Sequence, residues 1–159
     1  YIGMYILQSV LIYTQTQKVA SIVSKSMAVT GYEKVGKHTA DNVNFDFDKA
    51  TITPESQFVL DEIAHIISGF PDSRFLVAGY TDARGSVRYN EELSKARAKA
   101  VLEALVQRGI SADRLCCRGF GKRMALVPES ASDEQRRGDR KVVIERVTSK
   151  SLWNYLNQL

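Results

Sequence analysis

Thr81 and Asp82 lie in the middle of the run Gly79-Tyr80-Thr81-Asp82-Ala83-Arg84-Gly85-Ser86, and beyond it Asn90, Ser94 and Arg97 follow at intervals of four and three residues. Side chains at those intervals share one face of a helix. A turn at Gly85 can fold that face back toward Asp82. A carboxylate and a guanidinium held a few ångströms apart can receive an amino-acid head group, the ammonium on the acid and the carboxylate in the bidentate fork of the arginine. Thr81, Asn90 and backbone N–H groups could complete such a shell. The same two charges could equally pair with each other, leaving Asp82 as a turn residue and Arg97 as a brace.

These groups need elements to carry them. The alternation of Val43, Phe45 and Phe47 with Asn44, Asp46 and Asp48 predicts a half-buried strand over 43–47. Thr53-Pro54-Glu55 opens a helix over 54–68, with Thr as N-cap, Pro in the first turn and an acid near the positive end. Val59, Leu60, Ile63, Ile66 and Ile67 form its apolar stripe, and Gly69 stops it. A second strand runs from Arg74 to Tyr80. Ser86 caps a second helix over 87–108, with Leu93, Ala96, Ala100, Val101, Ala104 and Leu105 inward and Gly109 as the stop.

Two further strands are predicted over 114–118 and 141–147. The polar stretch 119–139 between them is long for a plain connection and reads as a surface excursion with its own short helix. This order gives an α/β (α+β) two-layer sandwich, a mixed four-stranded sheet with the helices on one face. The expected organisation is an N-terminal extension over 1–41, one domain over 42–148 and a C-terminal helix over 149–159. In that last segment Leu152, Trp153, Leu156 and Leu159 recur at helical spacing, to pack on the domain or to dock a partner.

Composition narrows the class. The 159 residues are 44% hydrophobic and 25% charged, as in a globular domain able to bury a core without staples. Residues 1–13 are apolar but too short to span a bilayer, and the first residue is Tyr rather than Met, which reads as a processed product. Cys116 and Cys117 are adjacent, too close for an ordinary disulfide, and offer no metal-ligand spacing; they read as small apolar strand residues. Neither a metal nor a cofactor is expected.

Enzyme chemistry finds little material. His38 and His65 stand apart, and neither a GxSxG nor an HExxH motif occurs. Asp46, Asp48 and Asp82 could supply the acid pair of a hydrolase, but two of them alternate with phenylalanines as solvated strand-face acids do. Gly119-Phe120-Gly121 lacks the third glycine of a phosphate loop and reads as a tight turn. The formal charge of +4, with Lys122, Arg123, Arg136, Arg137, Arg140 and Lys141 around the excursion, leaves an acidic polymer such as nucleic acid as an alternative partner. No aromatics are interleaved for base stacking, so a solvated basic face is the expectation and nucleic acid is not.

Phe45-Asp46-Phe47-Asp48-Lys49-Ala50, the run 79–86, Tyr89-Asn90, Leu93-Ser94-Lys95-Ala96-Arg97-Ala98, Gly109-Ile110, Arg118-Gly119-Phe120-Gly121 and Asp139-Arg140-Lys141-Val142 together resemble the C-terminal domain of the OmpA family. Similar domains occur in peptidoglycan-associated lipoproteins and in the MotB and MotY proteins of flagellar motors. The resemblance implies a periplasmic, cell-envelope module that is not an enzyme. Its implied ligand is the diaminopimelate-containing stem peptide of peptidoglycan, with envelope-protein partners reached through 1–41 or 149–159. It puts the ligand-gripping acid on Asp82 and the arginine on Arg97, with Asn90, Thr81, Asp46 and Arg140 lining the same pocket. One motif departs: Asp139-Arg140-Lys141-Val142 stands where the family usually has Asn-Arg-Arg-Val, an acid gained and an arginine lost, which would weaken anion contacts there.

Overall fold

A computed structural model describes residues 43–158 of the chain. The expected N-terminal extension, the apolar run 1–13 and His38 lie outside the described residues, as does Leu159.

Three strands form the sheet: β1 (Arg74–Tyr80), β2 (Leu115–Gly121) and β3 (Lys141–Val147). β1 is central, parallel to β2 and antiparallel to β3, so the sheet is mixed as expected. The fourth expected strand does not join it. Residues 43–47 instead turn back on themselves: Phe45 bridges Ile52, the Asp46 N–H donates to the Thr51 carbonyl at 2.9 Å, and the Thr53 N–H donates to the Asn44 carbonyl at 2.9 Å. The turn is closed by Asp48, whose φ of 58° is a left-handed conformation that a short polar side chain tolerates. Phe47 at its tip is 96% exposed, so the Phe/Asp alternation does not continue to the core.

The helices are α1 (Gln57–Ser68), preceded by a 3₁₀ turn over Pro54–Ser56, and α2 (Val87–Gln107). Both share one face of the sheet. Val59, Leu60, Ala64 and Ile67 of α1 and Ala98, Val101 and Leu105 of α2 pack with Phe75, Val77, Leu115, Val142 and Ile144. Thr53 does not cap the turn with its side chain; its hydroxyl meets that of Ser56 at 3.1 Å, and the Ser56 Oγ accepts from the Asn44 N–H at 2.8 Å. Ser86 does cap α2, accepting from the Tyr89 N–H at 3.1 Å.

The inward face of α2 is rotated from the expected one. Asn90, Ser94, Ala98, Val101, Ala104 and Leu105 are buried, whereas Ala96 is exposed and Leu93 and Ala100 are half-buried. The cause is a close approach of backbones. A Cβ on Gly79 would lie 2.2 Å from the Ser94 carbonyl oxygen, and one on Gly119 would lie 2.3 Å from the Lys95 nitrogen. Only a small residue fits that seam, so α2 places Ser94 there, while the expected Val101, Ala104 and Leu105 are buried further along the helix. Gly119-Phe120-Gly121 is accordingly the end of β2 and not a tight turn.

After β2 the chain makes its excursion, which contains a one-turn helix α3 (Asp133–Arg136) closed by a capping box of Ser132 and Gln135. α4 (Lys150–Gln158) ends the described chain. It lies on the opposite face of the sheet, where Leu152, Trp153 and Leu156 pack with Leu76, Ala78, Tyr80, Cys116 and Val147. Helices therefore cover both faces, not one. The C-terminal helix packs on its own domain, and the Cys116 Sγ and the Arg118 guanidinium both reach the Leu156 carbonyl. Burial pushes the Cys116 thiol pKa up, while Cys117 packs toward the first core.

Candidate functional site

The C-terminal end of β1 opens into a cleft of about 560 Å³, walled by the 43–48 turn, the first half of α2 and the α3–β3 connection. Ligands of α/β sheets commonly bind at this end of a parallel strand. Asp82, Arg97, Thr81, Asn90, Asp46 and Arg140 all line it. The geometry among them differs from the expected pair.

Asp82 is buried at 7% exposure and does not meet Arg97; its Oδ2 accepts from Arg136 Nη1 at 2.8 Å and from Arg140 Nη1 at 2.7 Å. Its Oδ1 accepts from the Arg84 backbone N–H at 2.9 Å. Burial alone would push the carboxyl pKa up. The Arg140 hydrogen bond, the Arg84 N–H and the charges of both arginines outweigh that and hold it below the usual 3.8.

Arg97 stands across the cleft. Its Nε donates to the Lys49 carbonyl at 3.0 Å and its guanidinium carbon lies 5.0 Å from the Phe45 ring centroid. Desolvation lowers its pKa, an effect that the neighbouring Tyr89 and Asp48 oppose. The Tyr89 hydroxyl donates to Asp48, which raises the pKa of the phenol. Arg97 is thus oriented by the turn 45–49, and its Nη groups are the donors a carboxylate would take.

Thr81 and Asn90 are buried and hold backbone. The Thr81 N–H donates to the Gly121 carbonyl at 2.9 Å and its hydroxyl to the Asp82 carbonyl at 3.1 Å. Asn90 Nδ2 donates to the carbonyls of Arg84 at 2.6 Å and Ser86 at 3.0 Å, clamping the loop that carries Asp82. Asp46 is exposed at the opposite rim. Arg140 holds Asp133 as well as Asp82, through Nη1 at 2.9 Å and Nη2 at 3.2 Å, and these bonds raise its pKa against the lowering by burial.

Sequence reasoning missed Arg136, Asp133 and Tyr89 as members of the cleft. The basic run around the excursion is not a uniformly solvated face: Arg136 is 5% exposed, Arg123 pairs with Glu91, and Lys122 donates to the carbonyls of Ala83 and Gly85. The Ser132–Gln135 capping box was the available signal. It starts a turn of helix and puts Arg136 and Arg140 one turn apart. Asp139, the acid gained in the last motif, is buried away from the cleft and accepts from the Leu126 and Val127 N–H groups at 3.0 to 3.1 Å. It secures the excursion rather than opposing an anion.

Six cationic side chains and four carboxylates line the cleft, so with every acid compensated two positive charges are left over. Among the described residues no group of three or more His, Cys, Asp or Glu could hold a metal, and no helix is long and apolar enough to cross a membrane.

The fold and cleft define a small α+β domain with a polar cleft at the end of a mixed sheet. The chain belongs to the OmpA family, whose model matches residues 44–139. It is 36% identical over 114 residues to outer membrane protein A of Escherichia fergusonii, a match covering 65% of this chain and 47% of the relative. The chain therefore spans about half the length of that protein. Among solved structures, the C-terminal domain of Helicobacter pylori MotB superposes with a TM-score of 0.61 at 24% identity, covering 74% of this chain and 92% of that one. The peptidoglycan-associated lipoprotein from Burkholderia pseudomallei gives a TM-score of 0.56 at 28% identity, covering 66% and 86%.

Proposed function

We propose that this chain binds peptidoglycan non-covalently, gripping the free amino-acid end of diaminopimelate in the stem peptide, and so anchors an envelope protein or machine to the cell wall from the periplasm. One observation carries the reading: Asp82 and Arg97 line a single cleft without being consumed by each other. The ligand ammonium goes to Asp82 and its carboxylate to the Nη groups of Arg97. Arg140 and Asp46 border the ligand, while Thr81 and Asn90 keep the Asp82 loop in place. The membership in the OmpA family and the likeness to a lipoprotein named for its association with peptidoglycan support the same ligand.

The rival chemistries fit the cleft less well. A hydrolase acid must carry a proton near neutral pH, whereas two arginines hold Asp82 ionised. A nucleic-acid surface needs basic side chains free to track phosphates, and Arg136, Arg140, Arg123 and Lys122 are engaged with the protein itself. Protein partners in the envelope would be met through residues 1–41 or the polar side of α4, whose apolar side is occupied by the sheet.

The test is sedimentation with purified sacculi in the presence and absence of free diaminopimelate. The chain is expected in the pellet and released by the competitor. Retention that diaminopimelate does not reverse would defeat the stem-peptide assignment, and absence from the pellet would defeat wall binding altogether.

A further inference from the structure

Asp82 is held by two arginines that are not equivalent. Arg136 is fixed on three sides: Nη1 donates to Asp82 Oδ2 at 2.8 Å, Nε donates to the Ala131 carbonyl at 3.1 Å, and Nη2 lies 3.6 Å from Asp133 Oδ1. Its side chain is 6% exposed, against 31% for Arg140 on the same carboxylate oxygen. Arg140 has an alternative that Arg136 lacks, the two-bond contact with Asp133, whose side chain is 74% exposed. Arg140 can release Asp82 and stay paired. Arg136, 6% exposed, would keep only the looser 3.6 Å contact with Asp133 and would be left buried and poorly compensated.

An ammonium group arriving at Asp82 needs an acceptor position on that carboxylate. Oδ1 accepts one bond, from the Arg84 backbone, whereas Oδ2 accepts two, from both guanidinium groups, so a newcomer to Oδ2 must displace one of them. Of the two partners on Oδ2, Arg140 is the more exposed to solvent, 31% against 6%. Replacing one cation by another there leaves the local charge unchanged, so the exchange adds no new desolvated charge.

We propose that Arg136 is a positioning residue for the ligand-binding carboxylate: it holds Asp82 from beneath while Arg140 yields its place on Oδ2 to the ligand ammonium. This rests on the assignment of Asp82 as the ammonium acceptor. It also gives the long excursion a purpose, since the capped turn of α3 is what delivers Arg136 to the floor of the cleft.

The experiment is calorimetric titration of the full chain with meso-diaminopimelate and with pimelate, the same seven-carbon dicarboxylate without amino groups. Arg136→Met is expected to weaken diaminopimelate binding by about tenfold or more and Arg140→Met by no more than about threefold, with pimelate affinity unchanged in Arg136→Met. A purely structural role would lower both ligands together, and that result would overturn the proposal. So would a greater loss in Arg140→Met than in Arg136→Met. If Arg136→Met does not fold, Asp82→Asn/Arg136→Met leaves no lone buried charge, and its affinities should equal those of Asp82→Asn alone; a further loss overturns the role assigned to Arg136. The double variant also decides where pimelate binds too weakly to read. Wild type that binds neither diaminopimelate nor sacculi would defeat the functional reading and this inference with it, whereas wild type that binds both while Arg136→Met matches it defeats the inference alone.

Discussion

At the scale of single residues, the cleft separates two ways of using an arginine. Arg97 rests on Phe45 and donates Nε to a carbonyl, so its charge is oriented but not cancelled by a short ion pair. Arg97→Lys keeps the charge and loses the planar fork; it should weaken sacculus binding by about 1 to 3 kcal/mol with little change in Tm, and unchanged sedimentation would return Arg97 to a structural part. Asp82 differs because it is buried with Arg136. Asp82→Asn should lose most binding and also about 3 kcal/mol of stability, because it strands a buried guanidinium. The pH dependence has a definite sign. Since the folded-state pKa is depressed, the Asp82 contribution is fully present above the unfolded value near 3.8 and is lost as pH falls through the folded one. The stability gap between wild type and Asp82→Asn should therefore be constant from neutral pH to about pH 5 and close only below about pH 4, as read by urea unfolding at each pH. A gap that closes between pH 5 and 7 would contradict the double-arginine contact.

At the scale of elements, the sequence was readable where local chemistry dictates the outcome and opaque where a distant partner does. The Ser86 cap, the α1 stripe of Val59, Leu60 and Ile67 and the apolar β1 follow from periodicity and capping alone. The strand expected over 43–47 failed because alternation does not say which backbone a segment pairs with; the partner here is the chain's own return at 51–53, a turn that leaves Phe47 exposed. Arg136 was missed for a related reason. A charged residue in a basic run looks solvated, and its partner Asp82 lies 54 positions away. The inward face of α2 was read correctly at Val101, Ala104 and Leu105 but not in its first half, where polar Asn90 and Ser94 are buried because the glycine seam at Gly79 and Gly119 brings the helix backbone against the sheet at Ser94 and Lys95. That seam is testable. Gly79→Ala puts a Cβ against the Ser94 backbone carbonyl, which cannot rotate away, so the helix must shift at a cost of about 1 to 3 kcal/mol, visible as a lowered urea midpoint. Because Asn90 and Arg97 ride on the same helix, binding should fall as well, in contrast to a core substitution in α1 such as Ile67→Val.

At the scale of the whole molecule, the sheet has two cores that meet in β1. Phe75 and Val77 face α1 and α2, and Leu76, Ala78 and Tyr80 face α4. Tyr80 belongs both to the second core and to the cleft wall, stacked on Phe120 at 5.3 Å and with the Lys141 ammonium 5.7 Å from its ring. The C-terminal helix and the cleft residue Tyr80 therefore share one core. Ending the chain at residue 148 would expose the sheet face now covered by Leu152, Trp153 and Leu156, each buried to 7% exposure or less. At about 1.5 to 3 kcal/mol per large apolar side chain the loss is on the order of 5 kcal/mol, comparable with the whole stability of a small domain. The shortened chain is expected to bind a hydrophobic dye and to lose its cooperative thermal transition, or to melt well below the full chain. If α4 were instead a docking helix only loosely held, the shortened chain would melt with the full one, and the covered face would have to be assigned to a partner. Diaminopimelate added to the shortened chain separates the two layers of the argument: recovery of a cooperative transition by the ligand means that the first core and the cleft assemble without α4, and no recovery means that the second core is a condition for the site.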